Sequence, residues 1–291
     1  MKYSPETCPI CKSRKPLKPY IKWKDLEWFK CPACGGGALI PYTPEVDGGG
    51  GATNSTYLNY EDNIDLFLPV AREKASWLMQ NHEEDMEIIE LGAGLGLVAS
   101  LIAELKPELN YHIIEPNSIF ASIMRKRGLR VYEGAADELL TTLIKDISGR
   151  GKGILFFLDN VLEHIAYPAK LLKQLKELSP SGSKIILEVP NEHLLKARYK
   201  LQDFIRGEEK PPTFPGHINL FTDKALKALC SNLQLSYKIY FHPIRSADQV
   251  RYLTQRRGLS PLIHAAITIM KATSIDYLFK VPYHLRAEII L

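Results

Sequence analysis

Apolar and polar positions along the chain change period twice, and those changes divide it. Between the cysteine pairs near the start, Tyr20-Ile-Lys-Trp and Leu26-Glu-Trp-Phe29 alternate apolar with polar, which predicts two short strands. A helical period runs from about Asp65 to Asn81. Beyond it, short continuous apolar runs alternate with helical patterns. Strands are predicted near Glu87 to Leu91, Tyr111 to Glu115, Arg130 to Glu133, Gly153 to Leu158, Lys184 to Val189, Leu235 to Phe241 and Leu285 to Leu291. Strands that alternate with helices call for an α/β fold, a doubly wound Rossmann-like sheet of seven mostly parallel strands. Between the last two strands, about 245–282 carries helical apolar spacing. A loop of that length normally has structure of its own, so a helical lid or an oligomer contact is expected there.

The expected organisation is a small module at 1–46, a glycine-rich linker with an N-terminal helical segment at 47–86, and the α/β domain at 87–291. The run Gly48 to Gly51 serves as hinge or loop. At 291 residues the chain is long enough for one full core and a smaller attachment. No apolar stretch reaches the length of a membrane span and the N-terminus shows no signal-peptide pattern, so the expected location is the cytoplasm. The sequon Asn54-Ser55-Thr56 then has no consequence.

The formal charge of +4 lies at the front. Residues 1–46 hold eight Lys or Arg against four acids, and the rest of the chain is neutral overall. Four thiolates around one Zn²⁺ would halve that surplus, so an electrostatic case for a nucleic-acid partner is poor, and such a partner would have to dock through the front module.

Five cysteines is an odd count. Four form Cys8-Pro-Ile-Cys11 and Cys31-Pro-Ala-Cys34 with nineteen residues between the pairs, the spacing of a zinc ribbon in which two knuckles each give two thiolates to a structural ion. A module this small needs the metal to hold its fold. A redox pair or a vestigial set is the alternative. Cys230 stands alone in a helical pattern, as a core thiol would.

Ile88-Ile-Glu90-Leu-Gly92-Ala93-Gly94-Leu-Gly96 joins a buried strand to a helix through a glycine turn. Such a turn lets a ligand approach the backbone and offers free N–H groups at a helix start, although a tight turn without a ligand can use the same glycines. The spacing is G-x-G-x-G with an acid two residues ahead, unlike the G-x-G-x-x-G of dinucleotide folds. Glu115 ends the next strand 23 residues after Gly92, where a carboxylate can accept both hydroxyls of a ribose.

Glu90 to Gly96 resembles the first motif of the class I S-adenosylmethionine-dependent methyltransferases, and Ile114-Glu115-Pro116-Asn117 resembles their second. Glu133-Gly-Ala-Ala136-Asp137-Glu138 is similar to the loop that meets the adenine, although the acid usual at the Ala135 position is missing. Asn160-Val161-Leu162-Glu163-His164-Ile165 resembles the VLEH segment after the fourth strand, and Ser179-Pro-Ser-Gly182-Ser stands where the family often has Lys-Pro-Gly-Gly. Val189-Pro190-Asn191-Glu192 and Gly216-His217-Ile-Asn-Leu-Phe221-Thr222 complete the set, over about residues 57–241.

The resemblance implies S-adenosylmethionine as cofactor, held by Glu90, Gly92, Ala93, Gly94, Gly96, Glu115, Pro116, Ala136, Asp137 and Asn160. Tyr57, like Tyr60, would either close over cofactor or acceptor or simply pack. In layout the chain resembles zinc-domain sugar methyltransferases, in which a histidine of the segment matching Gly216 to Thr222 acts on the substrate. His217 is therefore the first candidate for a catalytic base, before His164, Glu163 and Glu192, and a structural role stays open for both histidines. The implied acceptor is a small molecule: a sugar, a nucleotide-linked sugar or another biosynthetic intermediate. RNA or protein docked through the ribbon, or an inactive cofactor-binding scaffold, are the competing functions. The oligomeric state does not follow from the sequence.

Overall fold

The computed structural model describes residues 7–40, 64–148, 153–193, 195, 216–242 and 284–291. The linker 47–63, with Tyr57 and Tyr60, and the whole of 245–282 lie outside the described residues.

The front module is a meander of β1 (Lys18–Trp23), β2 (Leu26–Lys30) and β3 (Gly37–Leu39), each antiparallel to the last. The main domain then runs α1 (Ile64–Asn81), β4 (Glu87–Leu91), α2 (Leu97–Leu105), β5 (Tyr111–Glu115), α3 (Ser118–Lys126), β6 (Val131–Glu133), α4 (Ala136–Ser148) and β7 (Ile154–Asp159). A 3-10 turn at Leu162–His164, α5 (Pro168–Leu178), β8 (Lys184–Pro190), β9 (Asn219–Leu220), α6 (Asp223–Asn232), β10 (Ser236–His242) and β11 (His284–Ile290) follow. All seven strands expected of the large sheet appear within a residue of their predicted ends.

The large sheet has the order β10-β11-β8-β7-β4-β5-β6. Its pairs from β6 through β8 are parallel, and β11 inserts antiparallel between β8 and β10. The continuous apolar runs follow from burial on both faces. Ile89, Leu91, Phe156 and Leu158 point to one layer, with α4, α5 and α6. Ile88, Ile113, Leu155 and Phe157 point to the other, with α1, α2 and α3. Chain order reverses beside β4, which has β5 on one side and β7 on the other, and a doubly wound sheet opens its cleft outside the carboxyl ends at such a point.

The second sheet has the order β1-β2-β3-β9, so its last strand comes from the segment Gly216 to Thr222 of the main domain. Gly37 pairs with Leu220 and Ala38 with Asn219. This joint explains the glycines after Cys34: a Cβ on Gly36 would lie 2.8 Å from Ala225 Cβ, so only glycine lets the ribbon backbone reach α6. Among the described residues no helix is long and apolar enough to cross a membrane.

Candidate functional site

The glycine turn after β4 is wound tightly. Gly92, Gly94 and Gly96 have φ of 65°, 56° and 65°, and Gly96 caps α2. They serve different ends. A Cβ on Gly96 would lie 2.5 Å from Met124 Sδ on α3, a packing demand, whereas a Cβ on Gly94 would meet nothing within 4 Å, so the backbone there borders open space. Ala93 stands between them, half-buried. Glu90 is buried beneath the turn and accepts the Tyr111 hydroxyl at 2.8 Å; burial pushes its carboxyl up to about 8.

Glu115 ends β5 and reaches back to that turn. One carboxylate oxygen accepts Gly94 N–H at 2.9 Å and the other accepts Asn117 N–H at 2.9 Å. Burial raises its carboxyl to about 7 against the pull of those two donors. Pro116 is exposed beside it, and Asn117 caps α3 through Ile119 N–H and Phe120 N–H. Ala136 opens α4 half-buried, with Asp137 exposed in its first turn. Asn160, just past β7, has a φ of 53°, a conformation few side chains adopt, and its amide donates to Asp159 at 2.8 Å.

Farther along the same edge, four predicted groups come together. The turn Leu162–His164 presents Glu163 and His164, and its backbone holds the facing segment, since Ile218 N–H donates to the Glu163 carbonyl at 3.0 Å. Glu192 N–H donates to the Phe221 carbonyl at 2.8 Å, closing the enclosure from the end of β8. Between these lies His217, 7% exposed, with Nε2 at 3.8 Å from Glu163 and Nδ1 at 3.9 Å from Glu192. The rings of His164 and His217 meet edge to face at 4.9 Å. Burial drives Glu163 well above the usual carboxylate range and His164 down to about 3, so the interior disfavours charge on both. The Gly216 carbonyl, an acceptor only, lies 2.9 Å from His164 Nδ1, which fixes that nitrogen as the proton carrier.

In the ribbon, Cys8 Sγ lies 3.9 Å from Cys34 Sγ and Cys11 Sγ 3.7 Å from Cys31 Sγ, with all four buried and their sulfurs within 4.8 Å of one another. Four sulfurs at about 2.3 Å from a tetrahedral ion stand about 3.8 Å apart, the separation within each of these two pairs, so the donor set fits Zn²⁺. The Cys34 thiol beside it holds Cys8 down to about 5, the direction that prepares a thiolate. Cys230 is fully buried and burial pushes its thiol up to about 12, as suits an inert core thiol.

Two features of the site escape a reading of the sequence. Trp28 of β2 donates its indole N–H to the His217 carbonyl at 3.0 Å, and Leu39 N–H donates to the Ile218 carbonyl at 2.8 Å, so the ribbon grips the segment that carries His217. Lys74, buried on α1, lies 2.5 Å from Asp159 and 3.2 Å from Glu188, and Arg286 binds Glu188 at 2.6 Å. That ionic cluster props the end of β7 beneath the cleft. A lysine inside a helical pattern and a lone tryptophan carry no motif; the only local signal was the glycine pair at 36 and 37.

A family model described as a methyltransferase domain matches residues 60–237. Among solved structures, the plantazolicin methyltransferase BamL in complex with SAH and a triazolic desmethylPZN analogue superposes with a TM-score of 0.51 at 14% identity, over 81% of this chain and 88% of that one. A SAM-dependent methyltransferase from Archaeoglobus fulgidus gives 0.49 at 14% identity, over 77% and 94%. No curated protein sequence matches the chain significantly. With the family model spanning more than half of the chain, the fold of BamL, and Glu115 drawn to the glycine turn, the chain belongs to the methyltransferase-domain family and is a class I S-adenosylmethionine-dependent methyltransferase.

Proposed function

We propose that the enzyme moves the methyl group of S-adenosylmethionine to a small-molecule acceptor, a sugar, a nucleotide-linked sugar or another biosynthetic intermediate. The observation that carries this is the enclosure of Glu163, His164, Glu192 and His217 along the strand-end edge from the Gly94–Glu115 contact. Ribose hydroxyls donate to Glu115, the amino-acid part of the cofactor lies over Gly92 to Gly96 with Glu90 beneath it, and Pro116, Ala136 and Asp137 border the adenine. Asn160 lies between cofactor and acceptor.

When bound, the cofactor supplies the electrophilic methyl group. The protein's share is to position an acceptor and take up its proton. His217 is the first choice for that proton, with Glu192 turned to its far nitrogen; His164, Glu163 and Glu192 follow as candidates. Zn²⁺ on Cys8, Cys11, Cys31 and Cys34 is structural, and residues 1–46 form the ribbon. Trp28 and β3 are spent on contact with the main domain, which supports a buttress in place of a docking arm for RNA or protein.

Calorimetry with SAH, followed by transfer of a labelled methyl group in a screen of sugar nucleotides, total RNA and protein extracts, tests the proposal. Label in the small-molecule fraction is expected; label in RNA or protein alone would overturn the acceptor class, and SAH binding with no label in any fraction would leave an inactive cofactor-binding scaffold.

A further inference from the structure

We propose that Glu163, His164 and His217 bind a divalent transition-metal ion at the acceptor end of the site. One oxygen or nitrogen from each residue lies within 4.8 Å of the others, and the three are drawn from two segments pinned together by the Ile218 N–H to Glu163 carbonyl bond. Glu163 is 1% exposed, and among the described residues neither carboxylate oxygen accepts a hydrogen bond. Buried polar groups are nearly always satisfied, and an unsatisfied carboxylate is among the costliest exceptions. His217 Nε2 stands 3.8 Å from one of its oxygens, too far for a hydrogen bond and close to the separation of two ligands around one ion.

Donors held at about 2.1 Å from an ion stand about 3.0–3.5 Å apart, so the cluster must contract by on the order of an ångström to close on it. His164 has the hydrogen-bonded outer support that metal-binding histidines use. His164 Nδ1 donates to the Gly216 carbonyl at 2.9 Å, which leaves the lone pair on Nε2. His217 turns Nδ1 to Glu192 at 3.9 Å and Nε2 to the cluster.

Two imidazoles with one carboxylate suit borderline ions such as Mn²⁺, Fe²⁺, Co²⁺ or Zn²⁺, rather than Ca²⁺, which takes oxygens, or Cu⁺, which takes sulfur. Three protein ligands leave coordination positions open, and an acceptor with one or two hydroxyl groups could fill them. The inference rests on the acceptor site described under the proposed function, and it makes His217 a ligand in the ion-loaded enzyme while leaving the base to the ion-free one.

Mn²⁺ is the probe, added to the full chain with its ribbon already loaded with zinc, and followed by electron paramagnetic resonance without cofactor or acceptor. One bound Mn²⁺ per chain and a melting temperature that rises with Mn²⁺ are expected. Glu163→Gln keeps the size of the side chain and removes the carboxyl that would ionise on the metal, so it should fold; it should weaken Mn²⁺ at least 100-fold and abolish the rise in melting temperature. Glu192→Gln, which removes a carboxylate 3.9 Å from His217 Nδ1 and no ligand, should weaken it by about 10-fold at most. Should Glu163→Gln fail to fold, His217→Asn takes its place with the same expected loss. No Mn²⁺ bound by the wild type, or equal binding by wild type and the ligand variant, overturns the proposal and leaves Glu163 a protonated acid. SAH binding in the same samples separates the two failures: SAH without Mn²⁺ removes the ion alone, and loss of SAH removes the cofactor site.

Discussion

The indole N–H of Trp28 donates to the backbone carbonyl of His217 at 3.0 Å, across 189 positions of sequence. Trp28 is 3% exposed, so nothing in solvent replaces that donor. With Leu39 N–H on the Ile218 carbonyl, it makes the ribbon a wall of the enclosure around His217. Trp28→Phe keeps most of the packing and orphans one buried carbonyl, a cost of about 1–3 kcal/mol. The expected outcome is a lower melting temperature and turnover reduced about 10-fold, with SAH affinity unchanged. Equal turnover in a folded variant would show that the contact holds the ribbon and not His217.

Zinc should therefore matter to turnover more than to cofactor binding. One Zn²⁺ per chain is expected by elemental analysis, with sulfur distances of about 2.3 Å by X-ray absorption. Cys31→Ser should lose the metal and loosen β3 from β9, since Cys31 N–H donates to the Gly36 carbonyl at 2.8 Å just ahead of β3. Turnover should fall at least 10-fold while calorimetry finds SAH affinity within a factor of about three, because the glycine turn and Glu115 lie in the other sheet.

The division between those two sheets marks what the sequence disclosed. Apolar runs such as Ile154 to Leu158 are legible because both of their faces are buried, and the cysteine spacing is legible because an ion dictates it. The β3–β9 pairing was not, because Asn219-Leu220 is a strand of only two residues whose partner lies about 180 positions away. Periodicity reports a local face, never the identity of a remote edge. Lys74 was hidden for a like reason: on sequence it is one more polar helical position, and only the fold sets it against Asp159 and Glu188.

Glu115 gives a pH dependence with a definite sign. Its carboxyl in the cofactor-free protein sits at about 7, raised by burial, while ribose hydroxyls need the ionised form as acceptor. Below about pH 7 binding must expel a proton, so SAH affinity should rise with pH by up to tenfold per unit and flatten above it. The same shift works the other way on the unliganded fold: its contribution is full below the unfolded value of about 4.3 and is lost as pH rises through about 7. Calorimetry at pH 6 in buffers of different ionisation enthalpy should find about one proton more released by the wild type than by Glu115→Gln. Equal release would place the ribose elsewhere.

His217→Asn should leave SAH affinity and the melting temperature of the zinc-loaded protein near their wild-type values, since the backbone carbonyl that Trp28 and the ribbon hold is kept. Turnover should fall about 100-fold or more, the usual scale for a proton-transfer group. A loss of SAH affinity as large as the loss of turnover would make His217 a cofactor contact.

Lys74 tests the support beneath the cleft. Burial alone would lower its ammonium pKa, but Asp159 and Glu188 overcome that and hold it above the ordinary lysine range, so it stays charged at neutral pH. Lys74→Met preserves the volume and strands two carboxylates, a change that costs about 3 kcal/mol or more when the pair is buried. The lower end applies, because the Asp159 side chain keeps 22% exposure and Arg286 still neutralises Glu188. In the wild type, Glu188 is held well below its usual range by Lys74, His284 and Arg286 against the cost of burial, so its contribution is present above the unfolded value and lost as pH falls. Without Lys74 the carboxylates protonate more readily, and the stability gap between wild type and Lys74→Met should narrow from pH 7 to pH 5 in denaturant titrations. Adding Asp159→Asn should recover part of the loss, since it removes one of the stranded charges. A gap that does not change with pH, or a double variant no more stable than Lys74→Met, would mean that Lys74 acts through packing alone.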